Sequence, residues 1–253
     1  MKKILIIIAV IFVLVGLGFV LFEPVYNEIG RQEANRLVDE FDQIVSEAED
    51  TADNPKKQNK SSAQSGNNDS SGLTRPTKAM LRKLMKDSRE YNKKLLTAQG
   101  TVSTSSYKHA ALNLRNYGIT SNIYCYISAP KIGMKLPVYL GANESSLRYG
   151  AAHLSNTSLP VNQNSTNSVI AGHTGYIGRT FFDNIRSLSI GDSVSIKNYA
   201  ETISYKVIKK KIIKPDYTRD LYVQYGRQLL TLYTCTRNSE GGFDRYLVIC
   251  EKV

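Results

Sequence analysis

Three residue types in the C-terminal part of the chain have the chemistry to act together on a carbonyl carbon: Cys235, His173 and Arg245. A thiolate is a nucleophile, an imidazole passes protons near neutral pH, and a guanidinium offers several N–H donors to developing negative charge. A cation beside a thiol also favours the thiolate. Each of the three stands where an apolar run meets a polar or glycine-bearing loop. Gln228-Leu-Leu-Thr-Leu-Tyr-Thr-Cys235 reads as a strand, buried on at least one face, that ends in the cysteine. A polar loop, Thr236 to Gly242, follows it. Arg245 then opens a second apolar run, Tyr246-Leu-Val-Ile-Cys250. His173 follows the strand-like Asn167-Ser-Val-Ile-Ala-Gly172 and precedes the loop Thr174-Gly-Tyr-Ile-Gly178. Strand ends beside loops are where rigid scaffolds display reactive groups.

The chemistry these residues suit is thiol acyl transfer. Cys235 attacks a peptide carbonyl, His173 moves protons to and from the amines, and Arg245 donates to the oxyanion or the substrate backbone. Thr234 is the expected substrate-binding residue and can also orient Cys235 or Arg245 by hydrogen bonding. Two rivals use the same residues: a plain hydrolase, which releases an acid, and a binding module that holds a peptide without reacting.

Leu232-Tyr-Thr-Cys235 with its downstream Arg245 resembles the sortase signature, a TLxTC strand followed by an arginine. Ala171-Gly-His-Thr-Gly175 resembles the family's histidine motif. Gly150-Ala-Ala-His-Leu154, Thr157-Ser-Leu-Pro160, Ile127-Ser-Ala-Pro-Lys-Ile132 and Leu136-Pro-Val138 are similar too. The match runs from about Ile123 to the C-terminus, with the motifs in family order. It implies the eight-stranded sortase β-barrel and a cysteine transpeptidase with His173, Cys235 and Arg245 as catalytic residues. It also implies an LPxTG-like sorting signal of a pilin or surface protein as one substrate. The other is an amine, a pilin lysine or a cell-wall precursor.

Within the family the resemblance is to the class C, pilin-assembling sortases. These carry two helices before the barrel, and Glu90-Tyr-Asn-Lys-Lys-Leu95 resembles the second. The Gly150–Pro160 segment points the same way. Two departures favour wall anchoring instead. Gly100–Ser121 lacks the Asp-Pro-aromatic tripeptide of the pilin-type lid, and no second apolar helix precedes Val253.

The elements that must position this chemistry follow from patterning. Met1-Lys-Lys3 precedes Ile4–Phe22, an uncharged stretch about 28 Å long as a helix, near a bilayer's hydrocarbon thickness. Leading lysines favour a cytoplasmic N-terminus. No small-residue cleavage site follows, so the reading is an uncleaved single-pass anchor with the catalytic domain outside the cell. Pro24 suits the first turn of a new helix, and Leu37, Phe41, Ile44 and Ala48 recur at helical spacing over Val25–Glu49. Asp53–Thr77 is polar and reads as a flexible linker. Thr77–Ala98 reads as another helix, and His109 as a solvated loop residue.

From Ile123 the pattern gives eight short strands: Ile123–Ser128, Lys135–Leu140, Gly150–Leu154, Asn167–His173, Asp192–Lys197, Thr202–Ile213, Gln228–Cys235 and Arg245–Lys252. Short helices follow Asn143 and span Thr180–Leu188. Many short strands with few helices argue for a mainly β fold closed into a barrel. The expected organisation is an anchor (1–23), a stalk (24–50), a linker (51–76), a helix and possible lid (77–122) and the barrel (123–253).

Composition fits this layout. The net charge of +11 divides unevenly: −5 over residues 1–50, from four basic and nine acidic groups, then +7 over 51–100 and +9 over 101–253. A basic domain suits an anionic envelope, and no nucleic-acid motif accompanies the charge. Three cysteines, Cys125, Cys235 and Cys250, do not make a disulfide framework, and no CxxC suggests a metal site. No cofactor is expected. Cys125 and Cys250 lie within strand-like runs and read as small buried hydrophobes. Lys209-Lys-Lys211 reads as a solvated strand or a lysine-guarded edge.

Overall fold

The computed structural model describes residues 2–53, 75–99, 102 and 109–253. Eight strands close into one barrel: β1 Ile123–Ala129, β2 Met134–Leu140, β3 Ala151–His153, β4 Thr166–Ala171, β5 Ser193–Asn198, β6 Thr202–Ile213, β7 Gln228–Arg237 and β8 Phe243–Lys252. Around the wall the order is β1-β2-β3-β4-β7-β8-β6-β5, and β5 closes on β1. The β2–β3 and β4–β7 pairs are parallel and the others antiparallel. All eight expected strands are present, with ends shifted by up to two residues.

Alternation sorts each strand's side chains between two faces. On β7, Leu230 and Leu232 join the main core cluster, as do Ile170 of β4 and Tyr246, Val248 and Cys250 of β8. Their alternates, Leu229 and Tyr233, Val169 and Ala171, and Leu247 and Ile249, form a second cluster on the outer face of the same wall. Val102, Leu154, Ile213 and Leu221 complete that cluster. The wall made by β4, β7 and β8 is therefore apolar on both sides.

The N-terminal helix, α1, runs unbroken over Lys2–Asp53 with Pro24 inside it. This corrects the expectation of a new helix beginning at Pro24. A proline there forfeits one helical hydrogen bond, a cost of about 3 kcal/mol in a helix interior. Packing on its C-terminal side compensates: Ala34, Val38, Phe41 and Ala48 are buried, and Asp42 accepts from Lys197 Nζ at 2.7 Å. The stalk thus lies against the barrel. The helix continues to Asp53, past the expected start of the linker, most of which lies outside the described residues.

The next helix, α2, spans Lys78–Ala98, as expected to within a residue, and Thr77 caps it, its side chain accepting from Met80 N. It buries Leu81, Leu84, Met85 and Leu95. Asn92 fixes it to the barrel, donating to Leu159 O at 3.0 Å and accepting from Leu159 N at 2.8 Å. A short helix, α3, covers Glu144–Tyr149 behind the Asn143 cap. The helix expected over Thr180–Leu188 is only a 3₁₀ turn, Asp183–Ser187.

Part of the expected lid region is also ordered by packing: Leu114–Tyr117 form a 3₁₀ turn, with Leu114, Tyr117 and Ile119 buried. His109 is exposed, as expected, though its carbonyl accepts from Ser155 Oγ. Lys209–Lys211 fit the expected solvated, lysine-guarded stretch: Lys209 and Lys210 are exposed, and among the described residues this part of β6 pairs with β8 alone, the β5 register ending at Lys206. Lys210 Nζ donates to the carbonyls of Arg186 and Leu188, at 3.0 and 2.8 Å.

Candidate active site

Strand register brings the three reactive residues to adjacent positions. Cys235 lies directly opposite Arg245 in the antiparallel β7–β8 pair. The parallel β4–β7 pair sets Ala171 beside Tyr233, and two residues further along each chain stand His173 and Cys235. The backbone holds that alignment past the end of β4. Gly172 N donates to Tyr233 O at 3.1 Å, and Thr174 Oγ1 donates to Cys235 O at 3.2 Å. His173, Cys235 and Arg245 therefore occupy one rung across β4, β7 and β8, with neighbouring chains about 4.8 Å apart. All three share the parity of Ala171, Tyr233 and Leu247, so they belong to the outer face, above the second apolar cluster.

Each is held by local chemistry. Thr234 is buried on the opposite face, and its Oγ1 donates to Gly172 O at 2.7 Å. Gly172 has no side chain to spare: a Cβ there would meet the Phe182 ring at 2.6 Å. Phe182 N in turn donates to His173 O at 2.9 Å. The His173 imidazole stacks on Tyr176, with ring centroids 5.6 Å apart and planes at 15°. Burial lowers the His173 pKa below its usual value and Glu144 opposes that shift, so the ring is mainly neutral at pH 7. Arg245 Nε donates to Tyr233 OH at 2.8 Å, and Nη1 donates to the carbonyls of Phe243 and Asp244. The turn beneath it is built on Asn238, whose side chain accepts from Glu240 N and Gly242 N and donates to Asp244.

The thiols differ sharply. Cys235 is exposed, whereas Cys125 and Cys250 are buried. Burial raises the Cys125 pKa far above the ordinary range and pushes Cys250 up to about 12. His153, at the end of β3, is fully buried; its Nε2 donates to Ser158 O at 2.9 Å. Among the described residues, no three His, Cys, Asp or Glu side chains are grouped to hold a metal ion.

Sequence reasoning missed Tyr233 and Tyr176. Tyr233 was legible in principle: two residues before Cys235 on a strand, it must share the face of Cys235 and Arg245. Tyr176 lies in a loop, and no periodicity marks it.

The sortase domain family model matches residues 127–253. The chain belongs to the sortase family. Among its sortase relatives, it is 27% identical over 172 residues to sortase D of Bacillus subtilis, an alignment covering 67% of this chain and 82% of that protein. Its fold is similar to sortase C1 of Streptococcus agalactiae, with a TM-score of 0.63 and 29% identity over 72% of this chain and 94% of the other. It is also similar to sortase C-1 of Actinomyces oris, with a TM-score of 0.61 and 32% identity over 69% and 98%. Sortases are transpeptidases, and the structural neighbours of this one include class C members.

Proposed function

We propose that this sortase cleaves an LPxTG-like sorting signal through a Cys235 thioester and transfers the acyl group to an amine. The observation that carries the proposal is the shared rung of His173, Cys235 and Arg245 on one face of the barrel wall. Neutral His173 takes the Cys235 proton as sulfur attacks the peptide carbonyl carbon. Negative charge gathers on the carbonyl oxygen, where Arg245 donates. The tetrahedral adduct expels the amine as His173 returns the proton to it, leaving a thioester. An incoming amine then attacks the thioester carbon and gives its proton to His173. Sulfur leaves and is reprotonated. The acyl bond energy is retained throughout, so no ATP is needed. Thr234 acts from beneath, holding the chain on either side of the reacting pair.

The incoming amine in this reading is a pilin lysine. The likeness to class C structures and the two helices packed before the barrel support it. The second reading, transfer to a cell-wall precursor, is favoured by the missing Asp-Pro-aromatic tripeptide in 100–121. Residues 1–23 serve as a single-pass membrane anchor: the N-terminal apolar stretch has a mean hydropathy of 2.9 and no residue buried against the protein. The rest of α1, to Asp53, forms a stalk, α2 packs before the barrel, and residues 123–253 are the catalytic barrel outside the cell.

The test is incubation of the full chain in detergent with LPxTG-type peptides, with and without an added amine. Amide product that depends on the amine supports transpeptidation. Acid alone marks a hydrolase, and unreacted peptide across varied sorting sequences marks a binding module. Ladder formation with purified pilin subunits separates the pilin reading from wall anchoring.

A further inference from the structure

The loop that follows His173 is clamped to α1 at the point where that helix leaves its apolar stretch. A Cβ on Gly178 would meet the Tyr26 ring at 2.0 Å, and one on Gly30 would meet Gly178 O at 2.2 Å. Glu33 Oε2 accepts from Arg179 at 2.5 Å. Further along α1 the partners change: Asp39 faces Lys135, Phe41 packs on Tyr126 and Tyr199, and Asp42 pairs with Lys197. From Tyr26 to Phe41 is about 22 Å of helix, so the His173 loop meets α1 at its end nearest the apolar stretch. Phe22 closes that stretch one turn earlier, about 6 Å below Tyr26.

We infer that the surface formed by Tyr26, Ile29, Arg148, Tyr149 and Ile177 lies in the headgroup layer of the bilayer that α1 enters, with lipid as its partner. The inference rests on the reading of residues 1–23 as a membrane anchor. These five residues line one open cleft between α1, α3 and the loop. Ile177, at the loop tip, is 74% exposed, and Ile29, Tyr26 and Tyr149 are exposed beside it. Headgroups extend about 5–8 Å beyond the hydrocarbon on each side, which spans the height of Tyr26. Tyrosine, arginine and an isolated aliphatic tip are what such a layer accommodates: amphipathic rings, a cation for lipid phosphate, and a small apolar wedge. The surface is also continuous with the exposed Val25 and Phe22. Tyr176 links this surface to the reacting groups, because its ring stacks on His173 and it lines the same cleft as Arg148. The imidazole thus lies one side chain away from lipid.

The chain has no tryptophan, so single substitutions give an unmixed signal. Full-length Ile177→Trp, Phe12→Trp and Tyr225→Trp proteins are reconstituted into phosphatidylcholine–phosphatidylglycerol vesicles. Their emission is compared with and without lipids brominated near the headgroup or deep in the chains. Tyr225 is 76% exposed and precedes β7, at the barrel end away from Cys235, and serves as the solvent reference. The expected result is loss of about half the Ile177→Trp emission to shallow bromines, quenching of Phe12→Trp by deep ones, and no change for Tyr225→Trp. Quenching of Phe12→Trp with an Ile177→Trp signal equal to that of Tyr225→Trp overturns the inference and leaves the anchor standing. An unquenched Phe12→Trp removes the anchor, and the inference with it.

Discussion

Thr234 Oγ1 donates to the carbonyl of Gly172 at 2.7 Å, joining the residue before Cys235 to the residue before His173 across two parallel strands. Replacement by valine keeps the shape and removes the donor. The stranded carbonyl costs about 1–3 kcal/mol. Thr234→Val is expected to lower kcat about tenfold with KM little changed, since the loss falls on alignment rather than on substrate contact. Thr234→Ser, which retains a hydroxyl, should recover most of the rate. Steady-state kinetics with an LPxTG-type peptide check both.

Thiol labelling should separate the three cysteines. In the folded protein iodoacetamide is expected to modify Cys235 alone, because Cys125 and Cys250 are buried and their pKa values are raised. In urea all three should react. Intact-mass measurement counts the adducts. Cys235→Ala should lower turnover by about 10³-fold or more while leaving the melting temperature nearly unchanged.

Arg245 is aimed by Tyr233, whose hydroxyl accepts from Nε at 2.8 Å. Arg245→Lys keeps the charge and loses the planar fork, and should cost about 10² in kcat. Tyr233→Phe leaves the guanidinium in place with one tether fewer and should cost about three- to tenfold. Near-full activity in Arg245→Lys would mean that charge, not donor geometry, is what the reaction uses.

His153 makes stability depend on pH. Its pKa falls from 6.5 to about 4, chiefly by desolvation, and Nδ1 has no hydrogen-bond partner among the described residues. The unfolded chain therefore binds a proton that the folded chain refuses. Stability is full above about pH 6.5 and declines as pH falls toward the folded-state value, by about 2 kcal/mol at pH 5 and about 3 kcal/mol below pH 4. Urea denaturation across this range checks the slope, and His153→Gln should flatten it. His173 is shifted in the same direction, so the acid limb of kcat/KM should lie below 6.5.

Much of this was legible in the chain because barrels write themselves as short alternating runs. Asn143 announced its helix through its capping side chain. The three reactive residues stood out because each sits where an apolar run meets a loop. The order of strands around the wall was not legible. That β4 lies beside β7 is a fact about residues 62 positions apart, and no local pattern encodes it. The unbroken α1 was hidden by Pro24, whose local preference for a helix start was overridden by packing further along. Tyr176 was invisible because a loop has no period.

The β4–β7 pairing has a consequence for how the protein matures. Histidine and cysteine become neighbours only through a contact that spans a quarter of the chain, and arginine arrives on the final strand, flanked on both sides by β7 and β6. Such distant pairings form late. While the chain is still being extruded, Cys235 is an ordinary thiol with neither proton acceptor nor cation at its side. Reactivity switches on as the last staves are set, so a stalled or clipped chain would be chemically harmless.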